Sequence, residues 1–124
     1  MQKNILIVED DKFLLRVYGA KFNRDDVKVT LLEDGSEVLN KAKELHPDLI
    51  LLDLILPKKD GFKVLEELKT DPKTKEIPVI VITQLSQDED IAKAKALGIV
   101  KYLVKSESSL KEIKEVLEEY LSNA

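Results

Sequence analysis

The chain has no cysteine, which removes disulfides and thiolate metal sites together and suits a reducing cytoplasm. It has a single histidine, His46, standing before Pro47 where a helix is due to end, so no imidazole cluster is available for zinc or copper. No apolar run approaches the roughly 20 residues of a membrane span, and Met1-Gln2-Lys3-Asn4 leads directly into a strand without a signal peptide. The expectation is a cytoplasmic protein with no membrane insertion. Excess positive charge is also missing. With a net charge of −4, the basic face that direct nucleic-acid binding needs is not on offer. Linkers, repeats and low-complexity tracts are absent as well, so the 124 residues are expected to form one domain, 1–124, able to bury a core without staples.

What is present is a set of apolar runs that end in chemistry. Ile5-Leu6-Ile7-Val8 ends in Glu9-Asp10-Asp11, and Leu49-Ile50-Leu51-Leu52 ends in Asp53. Val79-Ile80-Val81-Ile82 ends in Thr83, and Tyr102-Leu103-Val104 ends in Lys105. Continuous runs of this length read as strands buried on both faces, the habit of a parallel sheet. Val27–Leu32 adds a fifth strand. Between them lie helical patterns: Asp11 to Asn23 with Leu14, Val17, Tyr18 and Phe22 inward; one carrying Val38, Leu39, Ala42 and Leu45; and one capped by Asp60-Gly61 with Phe62, Leu65 and Leu68. The fourth, Gln87 to Leu97, is thin, with Ile91, Ala94 and Leu97 inward and Gly98 as its cap. The last runs from Glu107 to about Leu121 with Leu110, Ile113, Leu117, Tyr120 and Leu121 inward, and Lys111–Glu115 and Lys114–Glu118 pairs outward.

Alternating strands and helices with right-handed crossovers give a doubly wound α/β fold: (βα)5, flavodoxin-like, a five-stranded parallel sheet of order 2-1-3-4-5. Ligands in such sheets sit outside the carboxyl ends of the strands. That edge collects carboxylates from strands one and three, a hydroxyl from strand four and an ammonium from strand five. Carboxylates so gathered repel unless a cation joins them. Oxygen ligands without sulfur or histidine select a hard cation, Mg2+, and Asp53 is the natural nucleophile for an acyl-phosphate. Singly, each residue has an ordinary reading as a cap or a strand end; together at one edge they form a site.

These motifs, with Leu54-Ile55-Leu56-Pro57-Lys58-Lys59-Asp60-Gly61 after Asp53 and Pro78 before the fourth strand, resemble the receiver domain of bacterial two-component response regulators over essentially the whole chain. The resemblance implies Asp53 as phosphoacceptor for a histidine kinase or histidine phosphotransfer protein. It implies Mg2+ held by Asp10, Asp53 and the carbonyl of Ile55, with Glu9 acting through a water. Thr83 and Lys105 match the phosphoryl-binding pair, and Tyr102 matches the aromatic switch residue. A downstream protein target is implied at the face made by helix 4, strand 5 and helix 5. The chain ends at Ala124, which likens it to single-domain regulators of chemotaxis or phosphorelay type, signalling proteins rather than conventional enzymes.

Two positions depart from the family pattern: Gln84 follows Thr83 where a small residue is usual, and Ser106 follows Lys105 where a proline in a cis peptide is usual. A cis bond before serine costs about 2.5–4 kcal/mol, so a trans peptide is expected there. Ile55 and Leu85, both apolar, flank the water approach to an aspartyl phosphate and imply a long-lived one. Three rivals share parts of the pattern. A flavodoxin-like cofactor binder would meet repulsion between Glu9-Asp10-Asp11 and its phosphate. A haloacid-dehalogenase-like Mg2+-dependent aspartyl phosphatase wants its nucleophile after the first strand. A pseudo-receiver acting only in protein interaction would not need Asp10, Asp53, Thr83 and Lys105 together.

Overall fold

The apolar runs become strands because residues buried on both faces of a sheet need no alternation, only bulk and β-branching. The structure is a computed structural model describing residues 2–122; Met1, Asn123 and Ala124 lie outside the described residues. In chain order the elements are β1 (Lys3–Val8), α1 (Lys12–Phe22), β2 (Val27–Leu32), α2 (Val38–Leu45), β3 (Leu49–Leu52), α3 (Gly61–Thr70), β4 (Val79–Thr83), α4 (Asp88–Ala96), β5 (Lys101–Val104) and α5 (Leu110–Ser122). All five strands are parallel in the order β2-β1-β3-β4-β5, the topology expected from the alternation.

Alternate strand residues feed two cores. Leu6, Val8, Ile50, Leu52, Val79 and Val81 face Val38, Ala42, Val64, Leu65, Leu68 and Ala94 of α2, α3 and α4. Ile5, Ile7, Leu49, Leu51, Ile80 and Ile82 face Leu15, Tyr18, Phe22, Ile113, Leu117 and Leu121 of α1 and α5. Each fully buried aliphatic side chain contributes roughly 1.5–3 kcal/mol relative to exposure, so both layers are deeply committed. Register then fixes the edge. Val8 pairs with Leu52, Leu52 with Val81, and Thr83 with Val104. The Asp53 N–H extends that ladder to the Val8 carbonyl at 3.1 Å.

Several helix details differ from the sequence pattern. In α1 the buried positions are Leu15, Tyr18 and Phe22, while Leu14 and Val17 are only half-buried, a rotation that three consecutive apolar positions leave open. Helix α5 does not begin at Glu107. Lys105–Glu107 form a tight 3-10 turn, Ser108 is extended, and Ser109 starts the helix by exchanging hydrogen bonds with Glu112 in a capping box. Leu110 at its first position is therefore exposed rather than inward, and Tyr120 is half-buried with its hydroxyl donating to the Val100 carbonyl. Of α4 only Ala94 is fully buried; Ile91 and Leu97 are half-buried. The Lys114–Glu118 pair closes at 4.0 Å, whereas no Lys111–Glu115 ion pair forms. His46 ends α2 in the left-handed conformation, φ 47°, instead of the extended one that a following proline favours.

The loop after β3 is held by close backbone packing. Gly61 donates its N–H to the Leu54 carbonyl at 3.0 Å, and a Cβ at Gly61 would overlap the Leu54 backbone itself. Backbone cannot give way as a flexible side chain does. Gly61→Ala should therefore destabilise the fold by about 1–3 kcal/mol, the usual penalty of overpacking, measured as a lower urea midpoint at unchanged m-value. A midpoint equal to the parent's would show that this contact relaxes freely.

Candidate functional site

The ends of β1, β3, β4 and β5 meet at one edge of the sheet. Glu9 continues β1 and is 1% exposed, and Asp53 continues β3 and is 3% exposed. Lys105, from the turn after β5, extends its ammonium between them: Nζ donates to Asp53 Oδ2 at 2.7 Å and lies 2.5 Å from Glu9 Oε1. The second contact is a close ion pair, so one ammonium is shared between the two buried carboxylates. The other Glu9 oxygen, Oε2, accepts from the Asp11 N–H at 3.1 Å. Asp53 Oδ1 accepts from the Ile55 N–H at 3.0 Å.

Asp10 is exposed, yet one oxygen each from Glu9, Asp10 and Asp53 lie within 4.8 Å of one another. Asp11, by contrast, serves the helix: its Oδ1 caps α1 by accepting from the N–H groups of Phe13 and Leu14. Thr83 is fully buried at the end of β4, and its hydroxyl oxygen lies 3.5 Å from the Leu85 N–H. Tyr102 donates its hydroxyl to the Leu85 carbonyl at 2.8 Å, tying β5 to the segment after Thr83. Ile55 is 49% exposed beside Asp53. The Lys105–Ser106 peptide is trans, and Lys105 is the first residue of the 3-10 turn.

All seven site residues drawn from the sequence thus lie at or beside this edge. Sequence reasoning did not show that Glu9, and not Asp10, is the buried carboxylate of the pair, or that Lys105 bridges Glu9 and Asp53. The available signal was position: Glu9 directly extends the β1 run, and a residue that continues a central strand is enclosed by its neighbours. It also missed the Leu85 carbonyl as the partner of Tyr102, a main-chain role that no side-chain pattern carries.

The charges do not balance. Burial pushes the Glu9 carboxyl up to about 7, and the nearby Asp53 charge adds to this, while the Lys105 ammonium and the Asp11 N–H only partly offset it. For Lys105 burial works against the charged form, but its bonds to Asp53 and Glu9 win and hold its pKa above the ordinary lysine value. One ammonium faces three carboxylates. A divalent cation suits such a group: the donor set is oxygen only, three carboxylates share one ammonium, and the Ile55 carbonyl accepts no hydrogen bond from the described residues.

The fold and this edge together define a doubly wound module built around a buried, cation-demanding acidic centre at the carboxyl ends of its strands. The chain belongs to the response regulator receiver domain family, whose pattern matches residues 5–118. It is 32% identical to the polar-differentiation response regulator DivK of Brucella ovis over 124 residues, the whole of both chains. It is 37% identical to the response regulator PleD of Caulobacter vibrioides over 105 residues, 85% of this chain but only 23% of PleD. Among solved structures, the phosphorylated cyanobacterial phytochrome response regulator RcpA superposes with a TM-score of 0.87 at 35% identity, over 100% of this chain and 97% of that one. The Mn2+-bound form of response regulator Rcp1 gives 0.79 at 36% identity, over 94% and 90%. Among the described residues no helix is long and apolar enough to cross a membrane.

Glu9 sets a pH dependence whose sign follows from linkage. Its folded pKa of about 7 lies above the ordinary value of 4.5. The stability tied to its protonated form is therefore full below the ordinary value and is lost as pH rises through the folded one. Without divalent metal, the melting temperature should fall between about pH 5 and about pH 8, and Glu9→Gln should flatten that slope. Thermal scans in chelator across this range check it; parallel slopes for parent and variant would remove Glu9 as the cause.

Proposed function

We propose that residues 1–124 act as one receiver domain that takes a phosphoryl group from a phosphohistidine of a histidine kinase or histidine phosphotransfer protein onto Asp53. The observation that carries this is the placement of Asp53: a buried carboxylate ending the central strand, 2.7 Å from the Lys105 ammonium and grouped with Glu9 and Asp10. An Asp53 oxygen attacks phosphorus, the phosphorus–nitrogen bond breaks, and its electron pair leaves on the imidazole nitrogen of the donor, which takes up a proton. Lys105 and the Thr83 hydroxyl hold phosphoryl oxygens, Lys105 exchanging its carboxylate partners for the more highly charged group. Asp10, Asp53 and the Ile55 carbonyl would hold Mg2+, with Glu9 acting through a water, and the ion would supply charge neutralisation there. Catalysis is confined to the chain's own modification and its hydrolysis, in a cytoplasmic setting where such donors are found.

The signal leaves through Tyr102. Its hydroxyl is bonded to the Leu85 carbonyl, two residues from Thr83, so a displacement of the Thr83 segment reaches β5 directly. The neighbouring α4 has one fully buried residue, which makes its repacking cheap. The face formed by α4, β5 and α5 is accordingly where a downstream protein reads the state.

The reading is tested by intact mass after incubation with acetyl phosphate and Mg2+. The parent should gain one phosphoryl group, Asp53→Asn none, and Asp10→Ala should need more Mg2+ to reach the parent's label. An unlabelled parent, or a labelled Asp53→Asn, would refute it.

The lifetime of the phosphoryl group is a separate expectation. Hydrolysis needs a water placed in line with the aspartyl–phosphorus bond, and polar side chains hold such waters. Ile55 and Leu85 offer none; Ile55 is exposed and Leu85 half-buried. After removal of the donor, Ile55→Asn and Leu85→Glu should each lose label faster than the parent by about tenfold, on the scale of one positioned hydrogen bond. Equal decay would assign the lifetime to other groups.

A further inference from the structure

The loop that follows Asp53 is pinned at two main-chain points on either side of Ile55. The first is the Leu54 carbonyl, which accepts from the Gly61 N–H at 3.0 Å. The second is the Pro57 carbonyl, which accepts from the Lys59 N–H at 2.7 Å and from the Gly35 N–H at 3.3 Å. A bond from Lys59 back to Pro57 across Lys58, whose φ is 67°, makes a γ-turn of the positive-φ kind. That turn is rare and strained, all the more so for a residue other than glycine. It persists only where its surroundings over-determine it.

The two lysines of the turn are held differently. Lys58 reaches Asp34 at 3.5 Å, but its side chain is 68% exposed, so that pair contributes little. Lys59 donates to both oxygens of Glu67, at 2.9 and 3.1 Å, eight residues further along the chain on α3. These two side chains are only 32% and 25% exposed. The neighbouring pairs Lys63–Glu66 and Lys41–Glu44 make longer contacts, at 3.5 and 3.8 Å, as solvated pairs do. The main chain of Lys59 is enclosed as well, since a Cβ at Gly35 would overlap its carbonyl. Lys59 is thus fixed through its side chain by α3 and through its backbone by the loop after β2. The phosphoryl chemistry uses neither Lys59 nor Glu67.

The anchor sits directly after the strained residue. Lys58 cannot relax without moving Pro57, and with Leu54 fixed, a shift of Pro57 is taken up by Ile55 and Leu56. Mg2+ demands near-ideal octahedral geometry, so a displaced carbonyl ligand is felt in its affinity. We propose that the Lys59–Glu67 pair positions the cation site: by holding the turn at Lys58 it sets where the Ile55 carbonyl stands relative to Asp10 and Asp53. Lys59 is a positioning residue, acting through the loop and not on the ion. The inference rests on the receiver reading of this edge.

The test is a Mg2+ titration of the unphosphorylated full chain, followed by two-dimensional amide NMR at Asp53, Leu54 and Ile55. Lys59→Met removes the ammonium and keeps the stem, and Glu67→Gln removes its partner. Each should weaken Mg2+ binding about threefold, the scale of a partly exposed ion pair, while Lys59→Arg should keep the parent's affinity. The double variant should be no weaker than either single one, because one contact is lost in all three. Long-range charge alone gives another pattern: Lys59→Met tightens Mg2+, Glu67→Gln weakens it, and the double variant returns to the parent. A merely structural pair lowers the urea midpoint and leaves the Mg2+ affinity of the folded chain unchanged. Either of these patterns would overturn the proposal. A parent without a saturable Mg2+ response would overturn the receiver reading together with it.

Discussion

The buried ammonium of Lys105 between Glu9 and Asp53 is the contact on which the rest of the edge depends. Taking charges out of water costs several kcal/mol per ion, and mutual attraction repays it only when geometry and partners are good. Here the repayment is incomplete. Burial keeps the Glu9 carboxyl raised to about 7 even with the Lys105 ammonium beside it. A single buried pair would be a stable end point; one cation for three acids is a site that holds free energy in reserve for another positive charge. The same excess explains why Lys105 is held charged despite its enclosure. An arrangement optimised for stability alone would have paired the acids or replaced them with apolar residues.

Geometry of this quality is not produced locally. It requires β1, β3, β4 and β5 to stop at matched heights, which parallel register and the two buried layers enforce. It also requires the loop after Asp53 to return tightly. Gly61 does this by backbone contact with Leu54, and Gly35 does it from the other side, its N–H reaching the Pro57 carbonyl at 3.3 Å and its missing Cβ leaving room for the Lys59 backbone. Lys58 takes a positive φ of 67° to complete the turn. Small residues far from the charges thus set where the Ile55 N–H and carbonyl lie.

Much of this was legible in the residues. Strands buried on both faces announce themselves as apolar runs, and the polar residue that ends each run falls at the carboxyl edge whatever the helices do. The strand order, the clustering of Glu9, Asp10 and Asp53, and the presence of Lys105 and Thr83 beside them therefore followed. What did not follow depends on rotation or on main-chain partners. Leu14 and Leu15 both fit a helical stripe, and only packing on the sheet chose Leu15. The start of α5 is set by Ser109 and Glu112, because the turn at Lys105–Glu107 uses up the residues that continue the helical pattern upstream. The Leu85 carbonyl has no sequence signature.

The two sides of the sheet divide the work. Helices α1 and α5 bury Leu15, Tyr18, Phe22, Ile113, Leu117 and Leu121, and Arg24 ties the start of β2 to Glu118 of α5 at 2.8 Å. On the other side α4 has Ala94 as its one fully buried residue, with Ile91 and Leu97 half-buried and Lys93 over the Phe62 ring at 4.3 Å. A cation over such a half-buried ring is worth about 0.5–2 kcal/mol, no more than one buried aliphatic side chain. A change in charge at Asp53 therefore meets a stiff wall toward α1 and α5 and a soft one toward α4. Tyr102 stands at the boundary, bonded to the Leu85 carbonyl on the soft side. The asymmetry in packing alone is enough to direct any rearrangement of the Thr83 segment toward α4 and β5.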